Sequence, residues 1–319
     1  MKVSKTIYKS GDGMDGFFEH LDELFRKGDH GETEKYLKGY LKKLDTSGNE
    51  LMKVTVLNEL GGFYRGVSRY GESADCYGKA FDILKRKGLK ETPHYATVLL
   101  NYAGTCRLSG RLKKAVSLFL AAKNLFEQAN RKETYEYGST LNNLAIAYQD
   151  LGKMEEADNI ASQSLSLMKN MDASEEEVAT ALCNLASIRL GIGKIESAET
   201  LATEALSMYD AMETGSVHHA AAFSTMGAIQ FRRGEYETAV EDFKKSLDLT
   251  HRYFGKNIEY AVTLHNIATA YHLKGDIEIA VKHQMEALDL IERLVGATDN
   301  RSIDYRRMLD EMILKLKES

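Results

Sequence analysis

Tryptophan is absent from the 319 residues, and proline occurs once, as Pro93. A chain of this length carries roughly sixteen prolines at average usage. A single one excludes a turn-rich β architecture and favours long, uninterrupted helices. Cysteine is scarce: Cys76, Cys106 and Cys183 show no paired spacing and no CxxC. A sparse, odd count argues against a disulfide scaffold and fits a reducing compartment. No basic block stands out among 42 Lys and Arg residues spread along the chain, and the net charge is −5. That distribution speaks against nucleic acid or an anionic membrane as the main partner. No run of roughly eighteen apolar residues exists, and residues 1–20 hold no apolar leader. The expectation is a soluble, cytoplasmic protein.

What is present is repetition. Leu141–Lys153 reads LNNLAIAYQDLGK and Leu182–Lys194 reads LCNLASIRLGIGK. Further copies begin at Leu99, Phe223 and Leu264, with a weaker one at Leu57. The register gives six units, 54–95, 96–137, 138–178, 179–219, 220–260 and 261–301, at spacings of 41–42 residues. Three columns hold only Gly, Ala or Ser. They are Gly61, Ala103, Ala145, Ala186, Gly227 and Ala268; Ser73, Ala115, Ala157, Ala198, Ala239 and Ala280; and Ala80, Ala122, Ser164, Ala205, Ser246 and Ala287. Small residues at fixed positions let two helix backbones approach where a leucine would hold them apart. Each unit shows an apolar stripe at helical spacing, a break, then a second stripe. Gly110, Gly152, Gly193, Gly234 and Gly275 fall at the breaks, where a left-handed cap suits glycine. Thr92-Pro93 reads as the N-cap and first turn of a helix. An antiparallel pair of this kind buries its faces only by stacking on its neighbours.

These residues, Leu144-Ala145, Tyr148, Gly152, Ala157 and Ser164-Leu165 with their counterparts, resemble the tetratricopeptide repeat family. The likeness covers residues 54–301, in the long form seen in kinesin light chains. The usual family repeat has 34 residues, a Trp where Leu141 stands, and a closing Pro; this chain has none of these. The resemblance implies an all-α, right-handed superhelical solenoid of helix pairs. Residues 12–53 read as a degenerate N-terminal pair, with Phe17, Phe18, Leu21, Leu24 and Phe25 on one stripe and Tyr36, Leu37, Tyr40, Leu41 and Leu44 on the next. Residues 302–319 read as a capping helix with Ile303, Met308, Met312 and Leu316 apolar. Residues 1–11 read as a flexible lead-in.

Chemistry-bearing patterns are weak. Residues 11–16 match GxGxxG, but no buried strand precedes them, so a cofactor is not expected. Gly191-Ile-Gly-Lys194 lacks the rest of a phosphate loop. The histidines show no zinc spacing, so no metal is expected. No nucleophile–base set points to an enzyme. Cys106 reads as buried and Cys183 as more exposed.

At 100° per residue, Leu141, Leu144, Ala145 and Tyr148 face one side of their helix. Ser139, Asn142, Asn143, Ile146, Gln149 and Asp150 face the other. The resemblance implies that this second face lines a concave groove. Asn101, Asn143, Asn184 and Asn266 share one column there, with Glu59 and Thr225 as its exceptions. An amide donates and accepts, so it can hold a peptide backbone of any sequence; local or structural bonding is the equal alternative. Asn142, Arg65, Arg107, Arg232 and His265 complete the candidate groove set. The expectation is a non-enzymatic scaffold binding a protein or an extended peptide, with some preference for acidic segments. A peptide-sensing regulator and a self-assembling adaptor are the open alternatives.

Overall fold

The computed structural model describes residues 15–171, 173–212, 216 and 218–318. Those residues form fifteen α-helices and no strand. Residues 1–11, and most of the 11–16 glycine segment, lie outside them. Two compact units divide the chain, one ending at Gly193 and the other beginning at Lys194. The first unit contains α1 (Asp15–Lys27), α2 (His30–Ser47), α3 (Glu50–Gly66), α4 (Tyr70–Arg86), α5 (Pro93–Leu108), α6 (Leu112–Gln128), α7 (Tyr135–Asp150), α8 (Met154–Asn170) and α9 (Glu175–Gly191). The second contains α10 (Ile195–Asp210), α11 (His219–Arg233), α12 (Tyr236–Phe254), α13 (Ile258–Lys274), α14 (Ile277–Val295) and α15 (Asn300–Glu318).

Within each unit the small-residue columns run along the contacts between the helices of a pair. All eighteen positions are buried, and every Ala and Ser among them is at most 2% exposed. At Gly61 an added Cβ would stand 2.7 Å from the Tyr77 ring, and at Gly227 it would stand 2.8 Å from the Phe243 ring. Two serines in these columns also bond across the pair. Ser73 Oγ donates to the Gly61 carbonyl at 2.7 Å, and Ser164 Oγ to the Gly138 carbonyl at 2.8 Å. The hydroxyls thus satisfy themselves in a dry contact that only small side chains fit.

Local signals set the helix ends. Thr92 caps α5 by accepting from the Tyr95 amide, with Pro93 in the first turn. Thr134 does the same for α7 through the Tyr137 amide. At the start of α9 the Glu177 carboxylate accepts from the Ser174 amide at 2.9 Å, the N3-to-N-cap half of a capping box. The expected break glycines adopt left-handed backbone, with φ from +74° at Gly152 to +101° at Gly275. In the first unit's earliest repeat the same column holds Ser68, at φ +63°. A non-glycine residue pays strain there.

The two helices at the start of the first unit bury the expected stripes. Phe17, Phe18, Leu21, Leu24, Phe25, Leu37 and Leu44 are all under 9% exposed. Glu34 of α2 ties this pair to the next one. It accepts from Arg69 Nη1 at 2.6 Å and from the Tyr64 hydroxyl at 2.9 Å. Those bonds, Arg69 first, hold its carboxyl down at about 2 despite partial burial.

Two expectations need correction. Cys183 is 3% exposed, as buried as the other cysteines, because it lies on the flank of α9 beside Leu182 rather than on its open side. On α15 the buried positions are Ser302, Tyr305 and Met312, while Ile303 keeps 48% of its surface exposed. Ile303 follows the docking residue Ser302 by about 100° of rotation, which carries it off the contact face.

Candidate functional site

In the first unit the first helices of successive pairs, α3, α5, α7 and α9, pack side by side. Their half-exposed positions recur every three or four residues, as a helix with one open side requires. On α7 these are Tyr135, Ser139, Asn143 and Ile146; on α9 they are Glu176, Thr180, Asn184 and Ser187. Residues 135, 139 and 143 stand 41 positions before 176, 180 and 184, so two polar ladders run in the same register. Each ladder bonds along its own helix. Asn143 Nδ2 donates to the Ser139 carbonyl at 2.9 Å, and Thr180 Oγ1 donates to the Glu176 carbonyl at 2.8 Å.

The asparagine column divides between structure and open surface. Asn101 is engaged, donating from Nδ2 to Asn58 Oδ1 at 2.9 Å, and Asn58 in turn donates to Glu59 Oε1 at 3.2 Å. Asn143 spends its amide N–H on its own helix. Asn184 and, in the second unit, Asn266 are half-buried and make no side-chain hydrogen bond among the described residues. Asn142 does not belong to the open face. It is 5% exposed, with Oδ1 lacking a partner, because its position, 100° from Asn143, is on a flank that neighbouring helices cover.

The cations expected in a groove act mainly as braces between helices. Arg65 Nη1 donates to the Asn101 carbonyl at 3.1 Å. Arg107 pairs with Asp150 at 3.0 Å, with its side chain 23% exposed. One repeat on, Gln149 donates to the Ser187 carbonyl and hydroxyl at 3.2 Å each. Residues 65, 107 and 149 lie 42 apart, so one column straps each first helix to the next. The spacing was readable in the sequence; that the column reaches a neighbouring helix rather than a ligand was not. Arg232, in the second unit, is exposed and has no ion pair among the described residues.

His265 is likewise structural in its contacts. Its ring stacks on Tyr305 of α15, with centroids 4.2 Å apart and planes 11° from parallel. Gln284, fully buried, donates Nε2 to the Tyr305 carbonyl at 2.8 Å. Its Oε1 is therefore the atom that meets His265 Nδ1 at 2.9 Å, which makes Nδ1 the donor. Burial lowers the pKa of His265 and favours that neutral form.

Glu59 was passed over as an exception to the asparagine column. It is 3% exposed, and burial pushes its carboxyl up to about 7 against the bond from Asn58 and the nearby Arg65. A carboxylate inside a helix pair has no signature in sequence, since exposed glutamates occur at every kind of helix position.

The family model for the tetratricopeptide repeat matches residues 53–128, 136–211 and 218–293. Over 124 residues the chain is 27% identical to Protein KINESIN LIGHT CHAIN-RELATED 3 of Arabidopsis thaliana, a match spanning 39% of this chain and 19% of that protein. The fold is similar to a chain of the APC/C hetero-tetramer Cut9-Hcn1, with a TM-score of 0.62 and 17% identity, over 95% of this chain and 50% of that one. It is also similar to a Rap protein complexed with competence and sporulation factor, with a TM-score of 0.57 and 13% identity, over 94% of this chain and 97% of the other. At these identities the structural likeness is one of fold.

Proposed function

We propose that this chain, which belongs to the tetratricopeptide repeat family and is by that membership a protein-interaction scaffold, holds an extended peptide segment of its partner along the first helices of the repeats in its first unit. The six units at 54–95, 96–137, 138–178, 179–219, 220–260 and 261–301 are the proposed building blocks of that scaffold. The observation that carries the reading is Asn184. A half-buried amide without an internal hydrogen bond leaves donor and acceptor capacity facing outward, and such capacity is costly to leave unmet in a partly dry site. Asn143 stands in the same column one repeat earlier, with its oxygen making no hydrogen bond among the described residues while its N–H is used locally. Together they offer a peptide backbone an acceptor and a donor about one repeat apart. Arg65, Arg107 and Asn101 support the face rather than line it, because each is engaged by a neighbouring helix.

The test is capture of the partner with the intact chain, followed by calorimetric titration of wild type and the Asn143→Ala/Asn184→Ala double variant. Each lost bond costs about 0.5–1.5 kcal/mol, so affinity is expected to fall by roughly tenfold or more with an unchanged melting temperature. Full affinity in the double variant refutes the assignment.

A further inference from the structure

One side of α15 is docked and the opposite side is open. On the docked side Tyr305 stacks on His265 of α13 and accepts from Gln284 of α14 through its carbonyl, and Met312 packs with Ala268 and Ala280. The opposite side carries Ile303, Arg307, Asp310 and Leu314, spaced by four, three and four residues. At 100° per residue these four lie within about 60° of one another. All are exposed, and the two large apolar side chains, Ile303 and Leu314, keep 48% and 60% of their surface open.

The order of these residues is self-complementary. Ile303 and Leu314 lie equally far from the midpoint between Met308 and Leu309, and so do Arg307 and Asp310. A second α15 laid antiparallel across this stripe, with a two-fold axis at that midpoint, sets Ile303 against the partner's Leu314 and Arg307 against the partner's Asp310. A parallel arrangement opposes arginine to arginine and aspartate to aspartate, which costs energy. The neighbouring charges follow the same order: Arg306 precedes Arg307 and Glu311 follows Asp310, although Arg306 is also held by Glu292 of α14. The cationic half of one helix therefore covers the acidic half of the other. Competition within the chain is weak. Arg307 reaches Asp304 at 3.1 Å, one turn earlier, with side chains 72% and 62% exposed, and an exposed pair of that kind contributes little. Asp310 makes no ion pair among the described residues.

We infer that this face of α15 docks a second copy of the chain, forming an antiparallel two-fold dimer through Ile303, Arg307, Asp310 and Leu314. A stripe that complements its own reversal fits a second copy at all four positions, with the apolar pairs at the ends and the ion pairs between them. The helix has 19 residues and is about 28 Å long. One helix face of that length falls short of the roughly 1,200 Å² that a stable interface buries, so the dimer is weak and depends on concentration. The inference goes beyond the peptide reading and is independent of it, because α15 belongs to the second unit and Asn143 and Asn184 to the first.

The test is sedimentation velocity of the full chain over about 5–500 μM, a range suited to a small interface. Wild type is expected to pass from monomer to dimer as concentration rises. Arg307→Asp alone and Asp310→Arg alone should each raise the dissociation constant at least about tenfold, because each sets like charges opposite one another. Mixing the two variants should restore association, since every aspartate of one then meets an arginine of the other. Under mild oxidation the chain carrying both Ile303→Cys and Leu314→Cys should give a covalent dimer. Either change alone should not, because its two copies stand about 16 Å apart along the paired helices. The native cysteines are buried and do not compete. A chain that stays monomeric throughout, association untouched by the charge changes, a mixture that fails to associate, or cross-linking of either single cysteine variant overturns the dimer.

Discussion

The guanidinium of Arg65 occupies the space that a side chain on Gly104 would need: a Cβ there would stand 2.7 Å from Arg65 Nη1. The same nitrogen donates to the Asn101 carbonyl, one turn earlier on α5. Gly104 is thus a glycine because an arginine from the preceding repeat lies across it.

Gly104→Ala should therefore displace Arg65 and break its bond to α5. A hydrogen bond to a charged group contributes about 1.5–3 kcal/mol, partly offset here by the helix propensity gained on replacing glycine. A net loss of about 1–2 kcal/mol is expected in urea unfolding. The Arg65→Met/Gly104→Ala pair should be no less stable than Arg65→Met alone, a non-additivity that a double-mutant cycle reads directly. Additive losses would show that the two residues do not share this space.

Glu59 makes stability depend on pH in an uncommon direction. Its folded carboxyl, at about 7 against an ordinary 4.5, holds its proton more tightly than the unfolded chain does. The stability associated with that proton is complete below about pH 4.5 and is lost as pH rises through about 7. At about pH 8 the loss approaches roughly 3 kcal/mol, an upper figure for a group that water can reach on breathing. Glu59→Gln keeps an oxygen for Asn58 and removes the charge. Unfolding midpoints should rise at about pH 8, change little at about pH 5, and lose most of their slope between. An unchanged slope would place the charge elsewhere.

The docking of α15 should weaken in acid. His265 has its pKa lowered by burial, so the docked state favours the neutral ring. The stability it lends is present above the unfolded value of about 6.5 and falls as pH drops through the folded one. Gln284 meets this ring from α14, Tyr305 stacks on it from α15, and Asp304 raises its pKa in partial opposition. His272, the next histidine along α13, is lowered as well, by burial and then by Lys315. Amide exchange in α15 should quicken from about pH 7.5 to about pH 5.5, after correction for intrinsic rates. His265→Gln should reduce that difference. Exchange in α15 that tracks the core of α13 at both pH values would count against the idea.

The candidate face was legible only in part. Which side of α7 is polar followed from periodicity, since helical rotation separates Asn143 from Leu144 whatever surrounds them; that the first helices carry the face came from the family resemblance. The reach of long side chains was not legible. Arg65 and Arg107 extend to the next helix, and a sequence does not show whether an arginine ends on a neighbour, on a ligand or in water. Asn142 and Glu59 were misjudged for a related reason. A wheel divides one helix into inside and outside, whereas a helix flanked by two others has covered sides as well.

Helix number, the near-41-residue period, the small-residue contact lines and the caps at Thr92 and the break glycines were determined by the sequence itself. They arise from backbone sterics and side-chain volume within one or two turns, and local chemistry is enough to specify them. Which polar groups find partners was decided by tertiary structure. Asn101 is bonded and Asn184 open, Arg107 neutralised and Arg232 exposed, although each pair matches in residue type. The difference is what the adjacent helix places within about 3 Å, and that depends on how helices pack rather than on any residue's own position in the repeat.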